Sequence, residues 1–296
     1  MDVLFPPSGS QHLPPSQWIR PTGRPPCSSR GRPTPTTRWY APGVDVGEHL
    51  LRRLHAVRHR VGRRLRGPAP DWYEADLAEF TRRHEQELGS RPDIVRFPCG
   101  DERTSTTEFD PHYAYQGAWV MQQLGVNRPA RHVDVGSLTT YISFFATLQP
   151  TEFIDIRPAN MTFPGVSSRA GSVLNLPFDD QTVESVSCLH VVEHVGLGRY
   201  GDPINPSGMI EAIRELSRVL APGGHLYLSL PTGRDVVHFN AHRVTSPTVV
   251  LEAATPLVLV DLAAILDDGS YVSDASVEIL TRQRYACGLY HFRRSE

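Results

Sequence analysis

The chain contains no lysine, and all 30 of its basic residues are arginine. This absence excludes Schiff-base chemistry on a lysine amine and phosphate-binding loops that depend on a lysine. The 32 acidic residues leave a formal net charge of −2 at pH 7. The whole chain is therefore close to neutral, and any electrostatic role of the arginines depends on where they cluster in the sequence.

Long apolar runs and clustered cysteines are also missing. No stretch approaches the roughly 18 apolar residues that cross a bilayer, and residues 1–10 lack the basic and then apolar layout of a secretory signal. The four cysteines, Cys27, Cys99, Cys188 and Cys287, are widely spaced without a C-x-x-C pair. We therefore expect reduced thiols, no transmembrane segment and a cytoplasmic location.

The beginning of the chain differs in composition from the rest. Residues 1–44 hold ten of the 26 prolines and no apolar period, which predicts a disordered tail. Residues 45–66 place apolar side chains on one helical stripe with arginines on its flanks, which predicts a basic amphipathic helix. We expect this helix to dock on an acidic face of the same chain or of a dimer mate. An anionic membrane surface and a nucleic acid are the alternatives.

From residue 129 onward, short apolar strands alternate with helical patterns. The segments RHVDVG, EFIDI, GSVLNLP, ESVSCLH and HLYLSLP are predicted as strands. Two late strands, LVLVDLAAI and YACGLYHFRR, are expected to pair antiparallel at the C-terminal edge. Residues 129–296 are therefore predicted to form an α/β domain with a doubly wound, mostly parallel sheet.

The segment ESVSCLHVVEHVGLGRYGDP carries the clearest sign of chemistry. Its apolar strand pattern ends in three titratable residues, His190, Glu193 and His194, before a glycine-rich stretch. Ligands of open α/β sheets bind outside the carboxyl ends of the strands, and a neutral histidine accepts protons near pH 7. We predict these three as catalytic residues, with a structural role in bracing loops as the alternative. No second ligand set at a recognisable spacing accompanies them, so no metal site is predicted.

Polar residues on two loops fall at the same predicted sheet edge. An arginine there suits a carboxylate or phosphate on a substrate. In the alternative interpretation, Arg199 and Asp202 form an ion pair that braces the loop, and Arg243 caps a helix or pairs with an acid. The predicted substrate-binding residues are Arg199, Tyr200, Asp202, Asn240, His242 and Arg243.

The order of an acid–glycine turn, a strand-ending acid, LPF, EH and PGG resembles class I S-adenosylmethionine-dependent methyltransferases over about residues 131–293. More narrowly, DVGS, DIRP, EHVGLGRYGDP, PGGHLYLSLP and FNAHRV resemble a methyltransferase-like family known under a domain-of-unknown-function label, which brings no assigned substrate. The resemblance implies a Rossmann-like sheet, S-adenosyl-L-methionine as cofactor and a methyl-transfer reaction.

The resemblance also implies roles for individual residues. The turn after the first strand approaches the amino-acid part of the cofactor, Asp155 holds the ribose, and Ser172 and Val173 flank the adenine. The end of the fourth strand, at Leu189 and His190, faces the reacting sulfonium. The implied cofactor-binding residues are Asp134, Gly136, Ser137, Asp155, Ile156, Arg157, Ser172, Val173 and Leu189.

A helical extension is predicted between the tail and the sheet, over residues 45–128. Besides the basic helix it contains DWYEADLAEFTRRHEQEL and DPHYAYQGAWVMQQL, whose aromatic residues are most simply packing residues. In many methyltransferases the helices before the first strand close over the cofactor as a lid. The resemblance therefore places Tyr115 and Gln116 near the site.

The chain departs from the family pattern at the first turn. The family carries an acid-x-Gly-x-Gly-x-Gly run, because glycines let the backbone approach the cofactor closely. Here Leu138 and Thr140 stand where the second and third glycines would be. The main prediction is an S-adenosylmethionine-dependent methyltransferase for a small polar acceptor, such as a sugar or a carboxylated metabolite. The alternatives are a catalytically silent interaction module, favoured by the missing glycines, and a nucleic-acid methyltransferase that uses the arginine helix.

Overall fold

The computed structural model describes residues 69–100 and 103–296. The chain divides into two compact units after Arg103. The predicted proline-rich tail at residues 1–44 and the basic helix at residues 45–66 lie outside the described residues. The two units are therefore considered separately, beginning with the smaller one.

The first unit contains helix α1 (Tyr73–Leu88), which matches the helix predicted for the segment DWYEADLAEFTRRHEQEL. Gly89 ends it in the left-handed conformation, and its N–H donates to the Glu85 carbonyl. Ion pairs that Glu79 forms with Arg82 and Arg83 follow the exposed face of the helix. Among the described residues, no helix is both long enough and apolar enough to cross a membrane.

The second unit alternates helices and strands. Its helices are α2 (Pro111–Asn127), α3 (Thr139–Phe145), α4 (Gly208–Val219), α5 (Pro247–Ala253) and α6 (Val277–Thr281), with a 3₁₀ turn at Val192–His194. Its strands are β1 (His132–Val135), β2 (Thr151–Asp155), β3 (Val166–Ala170), β4 (Val183–Leu189), β5 (Leu220–Thr232), β6 (Val236–His238), β7 (His242–Val244), β8 (Val258–Ile265), β9 (Tyr271–Val272) and β10 (Ala286–Arg293).

Eight of these strands form one sheet in the order β3-β2-β1-β4-β5-β10-β8-β9. The first five are parallel, whereas β10 is antiparallel to both β5 and β8, and β8 is antiparallel to β9. The remaining strands, β6 and β7, form a separate hairpin. The predicted fold class is confirmed: the sheet is α/β and mostly parallel, and its antiparallel pairing is confined to the C-terminal side.

The third strand was predicted at the wrong place. The predicted segment GSVLNLP instead forms a turn in which the Asn175 N–H donates to the Ser172 carbonyl. The strand is β3, with the sequence VSSRA, and most of its residues are exposed. An edge strand with one solvated face lacks an apolar run, so an apolar pattern does not reveal it.

The sheet carries a hydrophobic cluster on each face. Along β5, Leu226 and Leu228 pack with α4 and α5, while the intervening Tyr227 belongs to the cluster of α2 and α3. This alternation is the two-residue period of a strand buried on both sides. Trp119 of α2 meets Tyr227 edge-on, with ring centroids 6.0 Å apart. Helix α2 is therefore part of the same core as the sheet.

The strand order places the sheet's crevice between β1 and β4. The chain moves outward from β1 to β2 and β3, and then returns to start β4 on the other side of β1. Ligands of open α/β sheets bind where the strand order reverses in this way, outside the carboxyl ends. The residues that follow β1, β2 and β4 therefore converge at one edge.

The consecutive phenylalanines of α3 test the assignment of the core. Phe145 is fully buried, whereas Phe144 is 51% exposed. We expect Phe145→Ala to lower the free energy of unfolding by about 3–5 kcal/mol, because it leaves a cavity against α2. The matched Phe144→Ala variant should stay within about 0.5 kcal/mol of the parent. Urea titrations give both values, and equal losses would place the core elsewhere.

Candidate functional site

The turn after β1 requires a glycine at its first position. Gly136 has a φ of +72°, and a Cβ atom there would lie 3.0 Å from the Val191 side chain. Leu138, at the second glycine position of the family pattern, has an ordinary φ of −61° and points outward, 44% exposed. Thr140, at the third position, lies in α3. The two missing glycines therefore leave the turn in an unstrained conformation.

A buried carboxylate holds this turn against the sheet. Asp134 is fully buried at the end of β1, where it accepts hydrogen bonds from the Ser187 hydroxyl of β4 and, at 3.1 Å, from the Ser137 N–H. The Ser137 hydroxyl in turn accepts the Leu189 N–H at 3.0 Å. Burial raises the pKa of Asp134 to about 6, although these hydrogen bonds oppose the shift. Asp134 thus lies behind the turn and lines none of the cavities described below.

A cavity of about 340 Å³ lies outside the ends of β1 and β2, with Asp155 in its wall. The Asp155 Oδ1 atom accepts the Arg157 N–H at 2.6 Å. Its Oδ2 atom faces the turn, since a Cβ at Gly136 would lie 3.7 Å from it. Within the described part of the chain, no donor contacts this second oxygen. One carboxylate oxygen is therefore free to accept hydrogen bonds from a ligand.

The remaining walls of this cavity are mostly apolar. Ile156 and Val173 line it, together with Ser172, whose Oγ atom accepts the Leu174 N–H at 3.2 Å. A hydroxyl that accepts one hydrogen bond retains its own proton for donation. The structure thus brings together six of the predicted cofactor-binding residues around one cavity: Gly136, Asp155, Ile156, Arg157, Ser172 and Val173.

A second cavity of about 410 Å³ continues from the first past Asp155 and Arg157. Two further predicted cofactor-binding residues, Ser137 and Leu189, line it, and Leu138 forms part of its wall. The two cavities form a continuous groove over the ends of β2, β1 and β4. Such a groove has room for an elongated ligand with an apolar end and a polar end.

A third and larger cavity, of about 780 Å³, opens beside the groove. His112 and Tyr113 of α2 line it, together with Tyr285 and His242. Burial, with a further contribution from the charge of His190, lowers the pKa of His112 to about 4. The sequence analysis missed His112, Tyr113 and Tyr285, because they lie far from the EH segment in the chain and carry no local motif.

Two of the predicted catalytic residues, His190 and His194, line all three cavities. His190 Nδ1 lies 2.9 Å from the Glu193 Oε1 atom, and Glu193 is fully buried. Burial alone would lower the pKa of His190, but the side chains of Cys287 and Glu193 raise it well above its usual value. Glu193 thus affects the cavities mainly by holding the His190 imidazole in place.

His194 has the opposite electrostatic environment. Burial lowers its pKa, and the nearby Glu193 only partly offsets this effect. His194 Nδ1 lies 2.7 Å from the Ala241 carbonyl oxygen. Because a carbonyl only accepts hydrogen bonds, the proton of the neutral ring belongs on Nδ1, and Nε2 carries the lone pair. Nε2, which lies 3.4 Å from the Arg199 Nη1 atom, is therefore the nitrogen of His194 that can accept a proton.

The predicted substrate-binding residues divide into two groups. Arg199, Tyr200 and His242 line the cavities. The Arg157 guanidinium lies over the Tyr200 ring, 4.5 Å from its centroid, which is a cation–π contact. Asp202 also borders the groove, but its carboxylate accepts the Gly196 N–H at 2.6 Å and so braces the loop.

Asn240 and Arg243 do not line the three cavities. Asn240 is exposed in the turn between β6 and β7. Arg243 is buried, and its guanidinium donates to the carbonyls of Val195, at 2.7 Å, and Asn205, at 3.3 Å. These contacts differ from the helix cap or the pairing with an acid that was the alternative for Arg243, because its donors point at backbone carbonyls beside the glycine-rich loop.

The lid positions expected for Tyr115 and Gln116 are wrong. Gln116 is fully buried, and its Oε1 atom accepts the Ser229 hydroxyl at 2.5 Å. Tyr115 packs edge-on against Phe109, with centroids 5.6 Å apart. Helix α2 contributes instead through its first turn, at His112 and Tyr113.

The chain shows limited likeness to one protein family and to several solved structures. A family model described as "Caenorhabditis protein of unknown function, DUF268" matches residues 178–252, which contain β4 and the EH segment. No curated protein matches the chain. The chain is similar to the N-methyltransferase NodS from Bradyrhizobium japonicum WM9 in complex with S-adenosyl-l-homocysteine, at 16% identity over 73% of this chain and 98% of that chain, with a TM-score of 0.44.

Two further solved structures show a comparable likeness. One is the 1,6-didemethyltoxoflavin-N1-methyltransferase from Burkholderia thailandensis with bound 1,6-didemethyltoxoflavin and S-adenosylhomocysteine, at 14% identity over 78% of this chain and 94% of that chain, with a TM-score of 0.45. The other is the [4+2]-cyclase SpnF, at 13% identity over 77% of this chain and 98% of that chain, with a TM-score of 0.48. The matched proteins thus include both methyltransferases and a cyclase.

The buried Asp134 generates a pH prediction. Its pKa of about 6 exceeds the ordinary value of 3.8, so folding favours the protonated form. The stability that this provides is complete below about pH 4 and is lost as the pH rises through 6. Relative to Asp134→Asn, the parent should therefore lose up to about 3 kcal/mol of unfolding free energy between pH 4 and pH 7. Urea titrations across this range measure the difference, and parallel pH curves would contradict the prediction.

Proposed function

We propose that this protein is an S-adenosylmethionine-dependent methyltransferase that acts on a small polar acceptor. The observation that carries the proposal is the free Oδ2 oxygen of Asp155, at the end of β2 and opposite the Gly136 turn. An acid at this point of a nucleoside-binding sheet accepts the ribose hydroxyls. Hydrogen bonds from two hydroxyls to an ionised carboxylate are stronger than hydrogen bonds to a neutral acceptor.

The shape of the groove supports the same cofactor. Its apolar part, between Ile156 and Val173, suits an adenine ring, and Ser172 offers a hydroxyl beside it. Its continuation past Ser137 and Leu189 leads toward the amino-acid part. Gly136 leaves the passage between the two parts of the groove open, because a side chain there would meet Val191 and approach Asp155. The residues present therefore fit this cofactor.

The sheet supports the proposal independently of the groove. Five parallel strands in the order β3-β2-β1-β4-β5 are followed by β10, which is antiparallel and inserted before β8. This is the arrangement that the resemblance to class I methyltransferases implies. The acid of β2 and the turn of β1 stand where that resemblance needs them, although the later glycines are missing.

The protein's own part in the reaction is positioning and proton removal. When bound, the cofactor supplies an electrophilic methyl group at the junction of the groove and the large cavity. His194 lies at this junction, where the Ala241 carbonyl holds its Nδ1 atom and Arg199 Nη1 lies 3.4 Å from its Nε2 atom. A hydroxyl or ammonium acceptor must lose its proton, and His194 accepts it there. Glu193 fixes the neighbouring His190 ring, which forms the wall between the cavities.

The large cavity supports a small polar acceptor. At about 780 Å³ it has the size of a site for a small molecule. Its wall is rich in imidazole and phenol groups, with Arg199 as its guanidinium and Glu108, Asp110 and Glu193 as its carboxyl groups. A sugar or a carboxylated metabolite fits this lining better than an apolar acceptor does.

Calorimetric titration with S-adenosylhomocysteine tests the cofactor site. We expect binding that Asp155→Ala weakens at least tenfold, because hydrogen bonds to a charged group contribute about 1.5–3 kcal/mol. The matched control is Asp274→Ala, since Asp274 is exposed and borders none of the three cavities. Equal affinities for the parent and a folded Asp155→Ala variant would reject the assignment. No binding to the folded parent would favour a catalytically silent module.

A second variant tests the proton acceptor. In a screen of sugars and carboxylated metabolites, with released S-adenosylhomocysteine as the readout, His194→Gln should lower kcat about 10²- to 10⁴-fold. Its affinity for S-adenosylhomocysteine should stay near that of the parent. The same change at the half-buried His84, which borders none of the three cavities, serves as the control. A His194→Gln variant with the kcat of the parent would remove His194 from the mechanism.

A further inference from the structure

Three side chains with metal-binding atoms converge behind the wall of the large cavity. They are His112 from the first turn of α2, His190 from the end of β4 and Cys287 from β10. One nitrogen or sulfur atom from each lies within 4.8 Å of the other two. The three residues come from distant parts of the sequence, so only the fold brings them together.

The buried nitrogen of His190 is the second observation. The side chain of His190 is only 5% exposed, and its Nδ1 atom is occupied by Glu193 at 2.9 Å. Its Nε2 atom is buried without a hydrogen-bond partner among the described residues. Buried polar atoms are almost always satisfied, and the Cys287 sulfur that lies beside this ring is itself a metal-binding atom.

The stacked arrangement of the two imidazoles is compatible with a shared ion. The ring centroids of His112 and His190 lie 5.5 Å apart. Two imidazoles that bind one ion at about 2.0–2.1 Å, at a tetrahedral angle, hold their centroids about 5 Å apart. Small side-chain rotations can close the difference between these two centroid distances. Cys287 completes a set of two nitrogens and one sulfur, which is a ligand combination that zinc and related transition metals prefer.

A nucleophilic role for Cys287 fits the structure less well. The Cys287 sulfur, the His190 imidazole and the Glu193 carboxylate lie one behind another. This resembles the arrangement that activates a thiol nucleophile. However, Cys287 is fully buried in an internal strand and lines none of the three cavities. A nucleophile must reach its substrate, whereas a metal ligand need only reach the ion.

We propose that His112, His190 and Cys287 bind one transition-metal ion of the zinc class, with Glu193 orienting His190 through its Nδ1 atom. A carboxylate behind a metal-bound histidine is a frequent partner that fixes the ring and its tautomer. Three protein ligands leave a fourth position of a tetrahedral site open to water or a substrate oxygen. His112 and His190 both line the large cavity, so the open position faces the acceptor.

This site shares His190 with the wall of the cavity assigned to the ribose and adenine, whereas His112 and Cys287 lie outside that wall. If the protein also transfers methyl groups, the ion lies beside the acceptor. Its ligand chemistry then favours an acceptor with an oxygen donor. If the cofactor assignment fails, the metal site remains as a separate property of the chain.

The test uses the full-length protein, freed of metal by a chelator and then titrated with Zn²⁺ and, separately, Co²⁺. We expect one tightly bound ion per chain and, with Co²⁺, a near-ultraviolet thiolate-to-metal charge-transfer band. Cys287→Ser should abolish this band and weaken Zn²⁺ binding at least tenfold. The matched control is Cys188→Ser, since Cys188 is also a fully buried free thiol but lies outside the cluster.

Two further variants distinguish ligands from a merely structural cluster. His112→Ala should weaken Zn²⁺ binding, and Glu193→Gln should weaken it by about 10–100-fold, as expected of a carboxylate behind a ligand. Circular dichroism identifies variants that fail to fold, and S-adenosylhomocysteine affinity should not change in Cys287→Ser. The proposal is overturned if the chain binds no Zn²⁺, or if folded Cys287→Ser and His112→Ala bind it like the parent. Selective alkylation of Cys287 without metal binding would overturn it in favour of a reactive thiol.

Discussion

The functional edge of this protein depends on one buried carboxylate. Asp134 ends β1 and is paired in register with Ser187 of β4, which donates its hydroxyl to it. The same carboxylate accepts the Ser137 N–H, so a single side chain joins two strands and the turn between β1 and α3. An unpaired carboxylate would be costly at full burial, and these hydrogen bonds offset that cost. The turn that faces the groove is thereby held in one conformation.

The groove and the large cavity both lie next to that turn. The groove runs over it from Asp155 to Leu189, and the large cavity opens next to its far end. His190 and His194 stand at the junction, where burial lowers the pKa of both imidazoles and Glu193 raises it. The side chains of Cys287 and Glu193 leave the pKa of His190 above its usual value, whereas burial leaves that of His194 below it. Paired titratable groups with diverging pKa values are characteristic of sites that move protons. His194 is thus the imidazole of the two that is neutral near pH 7.

Local patterns were sufficient to predict much of this architecture. The acid–glycine turn, the strand-ending Asp155 and the titratable segment at His190 are each encoded within a few residues. The mostly parallel sheet followed from alternating strand and helix patterns. These features depend on backbone periodicity and on strand ends, which short windows of sequence record directly.

The remaining features depend on contacts between distant residues. The polar edge strand β3 has no apolar signature, and Gln116 looked like a site residue although it satisfies Ser229 inside the core. Arg243 looked like an anion-binding residue, but its donors are taken up by loop carbonyls. Most clearly, His112, Tyr285 and Cys287 join the EH segment only through the packing of α2 and β10 against it. No spacing within the sequence predicts such a convergence.

The groove beside Asp155 is proposed to bind the adenosyl cofactor. A crystal structure of the protein with saturating S-adenosylhomocysteine tests it most directly. We predict the ribose hydroxyls within hydrogen-bond distance of the Asp155 carboxylate, the adenine between Ile156 and Val173, and the sulfur toward His190. A ligand bound elsewhere, or well-ordered protein with no ligand in the groove, would contradict this assignment of the groove.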